Sequence, residues 1–314
     1  MNNYSEISKE LPGNLDEKSR NLLLKFIMLS KTLSKQQIEE IRMGLEENVD
    51  VSLYAKKDFS DRKMREIRLG LKNNVDVTHY LNPAFTWNQM REIRLGLENG
   101  VNVDIYANVR CAANKMKVLR KWLEEGVDVG KYADTQFSAY QLEIILVGLE
   151  KGINVDIYAK PEFSSEQMQE ILLGELNNVD TGIYTNMGFS GKQMEQIRSG
   201  LESGIDASIY AKPEFSDRQM EQIRLGLESG IDVSIYASHK FSYKQMRIIR
   251  EGIEKGIDTR IYANSDIPYE YMLMILEDIE AGINVSLYLN PKLSWENRKR
   301  IRNLIVTTKK FLRA

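Results

Sequence analysis

Residues 216–241 read SDRQMEQIRLGLESGIDVSIYASHKF, and the fold follows from this stretch. Ser216 is a helix N-cap, and Gln219 three residues later suits a capping box. Met220, Ile223 and Leu227 then recur at i, i+3 and i+7, one apolar stripe on a helix. Gly230 stops that helix, because glycine accepts the left-handed conformation of a helix terminus. Asp232 caps a second, short helical turn that buries Tyr236, and Phe241 returns the chain to the core. The stretch is therefore one unit of long helix plus short turn.

The unit recurs. Tyr54, Tyr80, Tyr106, Tyr132, Tyr158, Tyr184, Tyr210, Tyr236, Tyr262 and Tyr288 are evenly spaced, so ten units run from Ser34 to Leu293 without insertion or deletion. Ser60, Thr86 and Ser164 repeat the cap, and Asn48, Asn74 and Asn178 replace the stop glycine. A second glycine column inside the helix (Gly44, Gly70, Gly96, Gly148, Gly174, Gly200, Gly226, Gly252) costs helix propensity. It predicts close approach of a neighbouring backbone. Met43, Leu69, Leu95, Val147, Leu173 and Leu225 face nearly opposite the main stripe, which suits a helix sandwiched between preceding and following repeats. The expected fold is an all-α, right-handed α-solenoid of ten 26-residue two-helix repeats. An N-terminal tail and capping helix (1–33, the helix over 15–31) precede the array (34–293), and a basic C-terminal capping helix (294–314) follows it.

The GLESGIDVSIYA half resembles the helix-end turn of ankyrin repeats, although this unit is shorter than an ankyrin repeat and no Thr-Pro-Leu-His follows. The whole pattern, QMEQIRLGLESGIDVSIYA (219–237) closed by a segment such as KPEFS (212–216), looks more like Tyr-anchored helical repeat arrays of Gram-positive bacteria and their mobile elements and phages. It covers 260 of the 314 residues. The resemblance implies architecture and a bacterial cytoplasmic setting, and no activity.

Composition narrows the chemistry. The chain is 42% hydrophobic and 28% charged, with 43 Lys+Arg against 45 Asp+Glu, which excludes disorder and a membrane-embedded protein. A lone Cys111 excludes an intramolecular disulfide and multi-thiolate zinc, and His79 and His239 stand far apart along the chain. No metal, cofactor or catalytic residue is expected. Gly188-Phe189-Ser190-Gly191-Lys192-Gln193 has the wrong spacing for a phosphate loop and falls where a helix N-cap is due. Arg42, Arg94, Arg120, Arg198, Arg224 and Arg250 precede Glu46, Glu98, Glu124, Glu202, Glu228 and Glu254 by four residues, and a structural column of helical ion pairs is expected rather than a phosphate ladder.

Departures from the repeat are the site candidates. In repeat ten, Leu273 and Met274 stand where most repeats carry polar residues, flanked by Tyr269 and Tyr271. Either they form a partner site or the C-terminal cap folds over them. In repeats four to six, Val118, Ile144, Leu146 and Leu172 replace charged positions, and Trp122 replaces the packing glycine, which predicts helices pushed apart into a groove or a tolerated bend. Charge is segregated: residues 138–241 carry 8 positive and 16 negative side chains, residues 294–314 carry 7 and 1. The function expected is non-enzymatic protein binding, with Tyr269, Tyr271, Leu273, Met274, Trp122, Ile144 and Leu172 as partner contacts. The resemblance adds one version, an element-encoded inhibitor that occludes a bacterial defence enzyme. The alternatives are nucleic-acid binding through Arg298, Lys299, Arg300, Lys309, Lys310 and Arg313, head-to-tail self-association, and capture of a small nucleotide signal near Trp122.

Overall fold

The computed structural model describes residues 32–311 except 134, 135, 187 and 291, with backbone alone for 309–311. The expected capping helix over 15–31 lies outside the described residues. Among the described residues there are eleven α-helices and no strand. In chain order they are α1 (Lys35–Glu46), α2 (Asp61–Lys72), α3 (Trp87–Glu98), α4 (Ala113–Glu124), α5 (Ala139–Glu150), α6 (Ser165–Leu176), α7 (Gly191–Glu202), α8 (Asp217–Glu228), α9 (Tyr243–Glu254), α10 (Tyr269–Glu280) and α11 (Trp295–Phe311).

Two compact units, Met1–Val147 and Gly148–Ala314, divide the chain within α5. In the first, α1, α2, α3 and α4 each pack on the next; in the second, α6, α7, α8, α9 and α10 do the same. Consecutive helices stacked in this repeating way make the fold an α-solenoid.

Each repeat is built as its residues dictate. Ser34, Thr86, Ser164, Ser190, Ser216 and Ser242 form complete capping boxes with the glutamine three residues on. Asn48, Asn74, Asn178 and seven glycines, Gly230 among them, hold positive φ at the helix ends. The following Asp or Asn caps a three-residue 3₁₀ helix such as Val77–His79 or Val233–Ile235, and the tyrosine after it is buried.

The internal glycine column has a different cause from the one its sequence suggested. What approaches Gly226 is the side chain of Tyr236 in the same repeat, not a neighbouring backbone: a Cβ there would overlap Tyr236 Oη and stand 3.3 Å from Cζ. That hydroxyl donates to the Gln222 carbonyl at 3.2 Å, and Tyr54, Tyr80, Tyr106, Tyr184, Tyr210 and Tyr262 make the equivalent bond in their repeats. Burial pushes these hydroxyls well above the ordinary tyrosine range, so they stay neutral donors.

Candidate partner-binding site

Three kinds of polar connection join one repeat to the next. The capping glutamine also reaches forward: Gln89 donates to the Cys111 carbonyl at 2.8 Å and Gln219 to that of Phe241 at 2.6 Å. Cys111 fills the phenylalanine slot, buried, with its thiol pushed up by that burial against the opposing pull of Lys115.

The arginine column is structural, and its reach exceeds the expected helical pairs. Arg94 holds Glu98 four residues on at 2.6 Å, and its Nε donates back to Glu66 of the preceding repeat at 2.9 Å. Arg120 takes Glu92 and Glu124, and Arg198 takes Glu170 and Glu202, in the same way. Arg68, whose fourth residue on is Lys72, turns instead to Glu40 and Glu47. Arg224 and Arg250 meet Gln196 and Gln222. The third connection joins helix ends, where Asn99 donates to Glu124 and Asn177 to Glu202.

These carboxylates make the array acid-sensitive. Lys72 and Arg68 hold Glu47 below the usual range; in Glu124 and Glu202 burial pulls upward but the Asn and Arg donors prevail and the pKa falls. A depressed native pKa contributes stability above the unfolded-state value, about 4.3 for glutamate, and that stability is lost as pH falls through the native value. Thermal melts are expected to be flat from pH 7 to about 5 and to drop below about pH 4.5. A melting temperature that rises on acidification would contradict this.

The same columns explain repeats four to six. Each Glu of the clamp stands at a fixed offset before its Arg, as Glu66 does before Arg94 and Glu92 before Arg120. Where the Arg column holds Leu146, Leu172 or Leu276, the position at that offset holds Val118, Ile144 or Ile248. Val118, Leu172, Ile248 and Leu276 are buried. Along the sequence the two columns thus change together, Glu with Arg giving way to apolar with apolar. Leu172, expected at a partner face, is a core residue, and Ile144 is half-buried.

Trp122 is likewise no surface contact. It is fully buried, edge-on to Tyr132 with ring centroids 6.0 Å apart, and α4 still packs on α3. The cost is local. Its indole Nε1 has no hydrogen-bond partner, and its repeat lacks the 3₁₀ helix that the other nine turns form. A ring occupies the space where a tyrosine hydroxyl sits elsewhere.

Repeat ten solves the same problem with a charge. Asp278 stands in the glycine column, buried, and accepts the Tyr288 hydroxyl at 2.7 Å and both Nε and Nη2 of Arg302 at 2.6 and 2.7 Å. This bidentate pair ties α11 to α10. Tyr271 stacks on Trp295 of α11, centroids 4.5 Å apart. The cap therefore covers part of the expected patch, and Tyr269, Tyr271, Leu273 and Met274 are all left half-exposed. Arg298 is not free for phosphate: it is buried, lies 4.1 Å over the Trp295 ring and donates to the Leu293 carbonyl. Lys299 and Arg300 are exposed; the Lys309, Lys310 and Arg313 side chains lie outside the described residues.

No protein-family model, curated protein or solved structure matches the chain. Within the structure, no described helix is long and apolar enough to cross a membrane, and the described residues hold no group of three His, Cys, Asp or Glu placed for a metal. Ser190, in the glycine-bearing loop, caps α7. His79 lies 3.0 Å from Asp104, and His239 is exposed.

The sequence reading missed one set of residues. First-turn side chains of successive helices meet: Arg218 lies 5.0 Å over Tyr243 and Lys244 4.4 Å over Tyr269. With Tyr271, Trp295 and Arg298 they make a run of rings and cations along the N-terminal edge of α9, α10 and α11. The signal was available as an aromatic at the first helical position of three consecutive helices, where the preceding repeats have only Trp87.

Proposed function

We propose that the protein is a non-enzymatic binding scaffold and that its partner, another protein, docks at repeat ten. Leu273 carries this reading. Its column holds Glu39, Arg65, Arg91, Lys117, Glu143, Gln169, Glu195, Glu221 and Arg247, so every other repeat gives water a polar or charged residue there. A half-buried leucine beside half-buried Tyr269 and Tyr271, where the other repeats carry polar residues, has the composition of an interface centre. A stacked-repeat frame also offers such a centre at little ordering cost. The resemblance to mobile-element arrays makes the concrete version an inhibitor acting in the bacterial cytoplasm, one that covers a defence enzyme.

The test is affinity capture from host lysate with quantitative binding of the recovered partner. Leu273→Lys is expected to weaken binding by about 2 kcal/mol or more, roughly 30-fold, with the helical spectrum unchanged. Unaltered affinity would remove repeat ten from the interface. Exposed Lys299 and Arg300 favour the second reading, nucleic acid, which predicts affinity falling steeply with salt.

A further inference from the structure

We infer that the partner of repeat ten presents an acidic, extended segment that lies along the N-terminal edge of α9, α10 and α11; this rests on the protein-binding reading above. The constant repeat period brings the first turns of these helices to one edge. There Arg218 sits on Tyr243, Lys244 on Tyr269 and Arg298 on Trp295, at 5.0, 4.4 and 4.1 Å from the ring centroids. Arg218 also donates to the Tyr243 hydroxyl at 3.1 Å. Arg298 is buried and already bonded, so the cations left for a partner are Arg218 and Lys244; each is held in place over its ring and meets a carboxylate with less ordering cost than a free surface lysine. Lys240, at the end of repeat eight, is exposed, as is Arg247 of repeat nine, which lies 3.6 Å from Glu251; the positive ends of three helix dipoles point to this edge.

The occupant is decided by what the rings and charges leave open. Single-stranded nucleic acid needs free ring faces for its bases. Here Tyr243 and Tyr269 each have one face under a cation, and Trp295 has both Arg298 and Tyr271 against it, so few faces are left for bases. Asp217, Glu270 and Glu296 lie on the same first turns and would repel an unbroken row of phosphates, whereas a polypeptide can place its carboxylates on the cations and neutral or basic residues opposite these acids. The unit as a whole, 148–314, carries 21 Lys+Arg and 24 Asp+Glu, so no broad positive field draws a polyanion in.

The probe is a fluorescein-labelled peptide of about twelve residues alternating Glu and Ser, titrated by anisotropy into the full chain at about 50 and 200 mM salt, beside an oligo-dT of similar length. The peptide is expected to bind more tightly than the oligonucleotide and to weaken with salt. Lys244→Glu and Lys240→Glu are each expected to weaken it about tenfold. Lys151→Glu, the same reversal at the other end of a helix, is expected to leave it unchanged. Tighter oligo-dT binding would assign the edge to nucleic acid, and no peptide binding at the lower salt, or equal loss in Lys151→Glu, would overturn the inference. The two readings separate on the captured partner. Loss with Leu273→Lys but not with Lys244→Glu leaves a protein site with no acidic segment, and no loss with either removes both.

Discussion

Gly226→Ala is expected to destabilise the protein by about 2–3 kcal/mol, although helix propensity alone favours alanine by about 1 kcal/mol. The new methyl would overlap the Tyr236 hydroxyl, which is packed against the helix and donates to the Gln222 carbonyl. Overpacking of a dense core costs about 1–3 kcal/mol, and displacing the ring adds about 1 kcal/mol for its hydrogen bond. The diagnostic variant is Gly226→Ala with Tyr236→Phe. Removing the hydroxyl leaves Cζ, 3.3 Å from the built Cβ, as the nearest ring atom, so the double variant should lose at least about 1 kcal/mol less than the two single losses summed. Denaturant melts read both numbers. A stabilised Gly226→Ala, or strict additivity, would show that the glycine column serves something other than the tyrosine. The chain's own exceptions agree with the expectation: Trp122 in this column coincides with a lost 3₁₀ helix, and Asp278 turns the close approach into a hydrogen bond.

Much of this architecture was legible in the residues because repetition is an internal control. Ten aligned units separate what the backbone demands from what one position tolerates. The capping Ser–Gln pairs, the Gly or Asn stops and the buried tyrosines obey local rules that need no neighbour. What could not be read from one unit were the connections between units. The stripe located Ile223 in the core, but nothing within a repeat says that Arg94 reaches Glu66, because that bond joins two different repeats and both side chains look like solvent-facing charges on their own helix. For the same reason Val118, Ile144 and Leu172 resemble exposed apolar anomalies when read singly and paired exchanges when read as columns. Trp122 invited a groove because its size was visible and its accommodation by Tyr132 was not. The patch of repeat ten was half-legible: Leu273 stands out by its column, but the stacking of Trp295 on Tyr271 depends on where α11 lies.

The matched columns yield the second large effect. Glu92→Val is expected to cost about 3 kcal/mol, the lower end for breaking a buried ion pair, because Arg120 is 9% exposed and would keep only Glu124. Adding Arg120→Leu should bring stability back to within about 1 kcal/mol of the parent, since a buried pair replaced by well-packed apolar residues is often neutral. The chain already contains this exchange, Val118 with Leu146 and Ile248 with Leu276, in the same two columns of other repeats. The Tyr106 hydroxyl donates to the backbone carbonyl of Glu92, a bond that does not depend on the Glu92 side chain, so the repeat keeps its tyrosine anchor in both variants. The pH response separates the two explanations of any rescue. With Arg120 gone, Glu124 keeps only Asn99 of the two hydrogen-bond donors that lower its pKa, so the double variant should lose less stability than the parent as pH falls below about 4.5. A double variant as unstable as the sum of its singles would mean that the inter-repeat pair is incidental, and that matching of the columns arose from something other than packing.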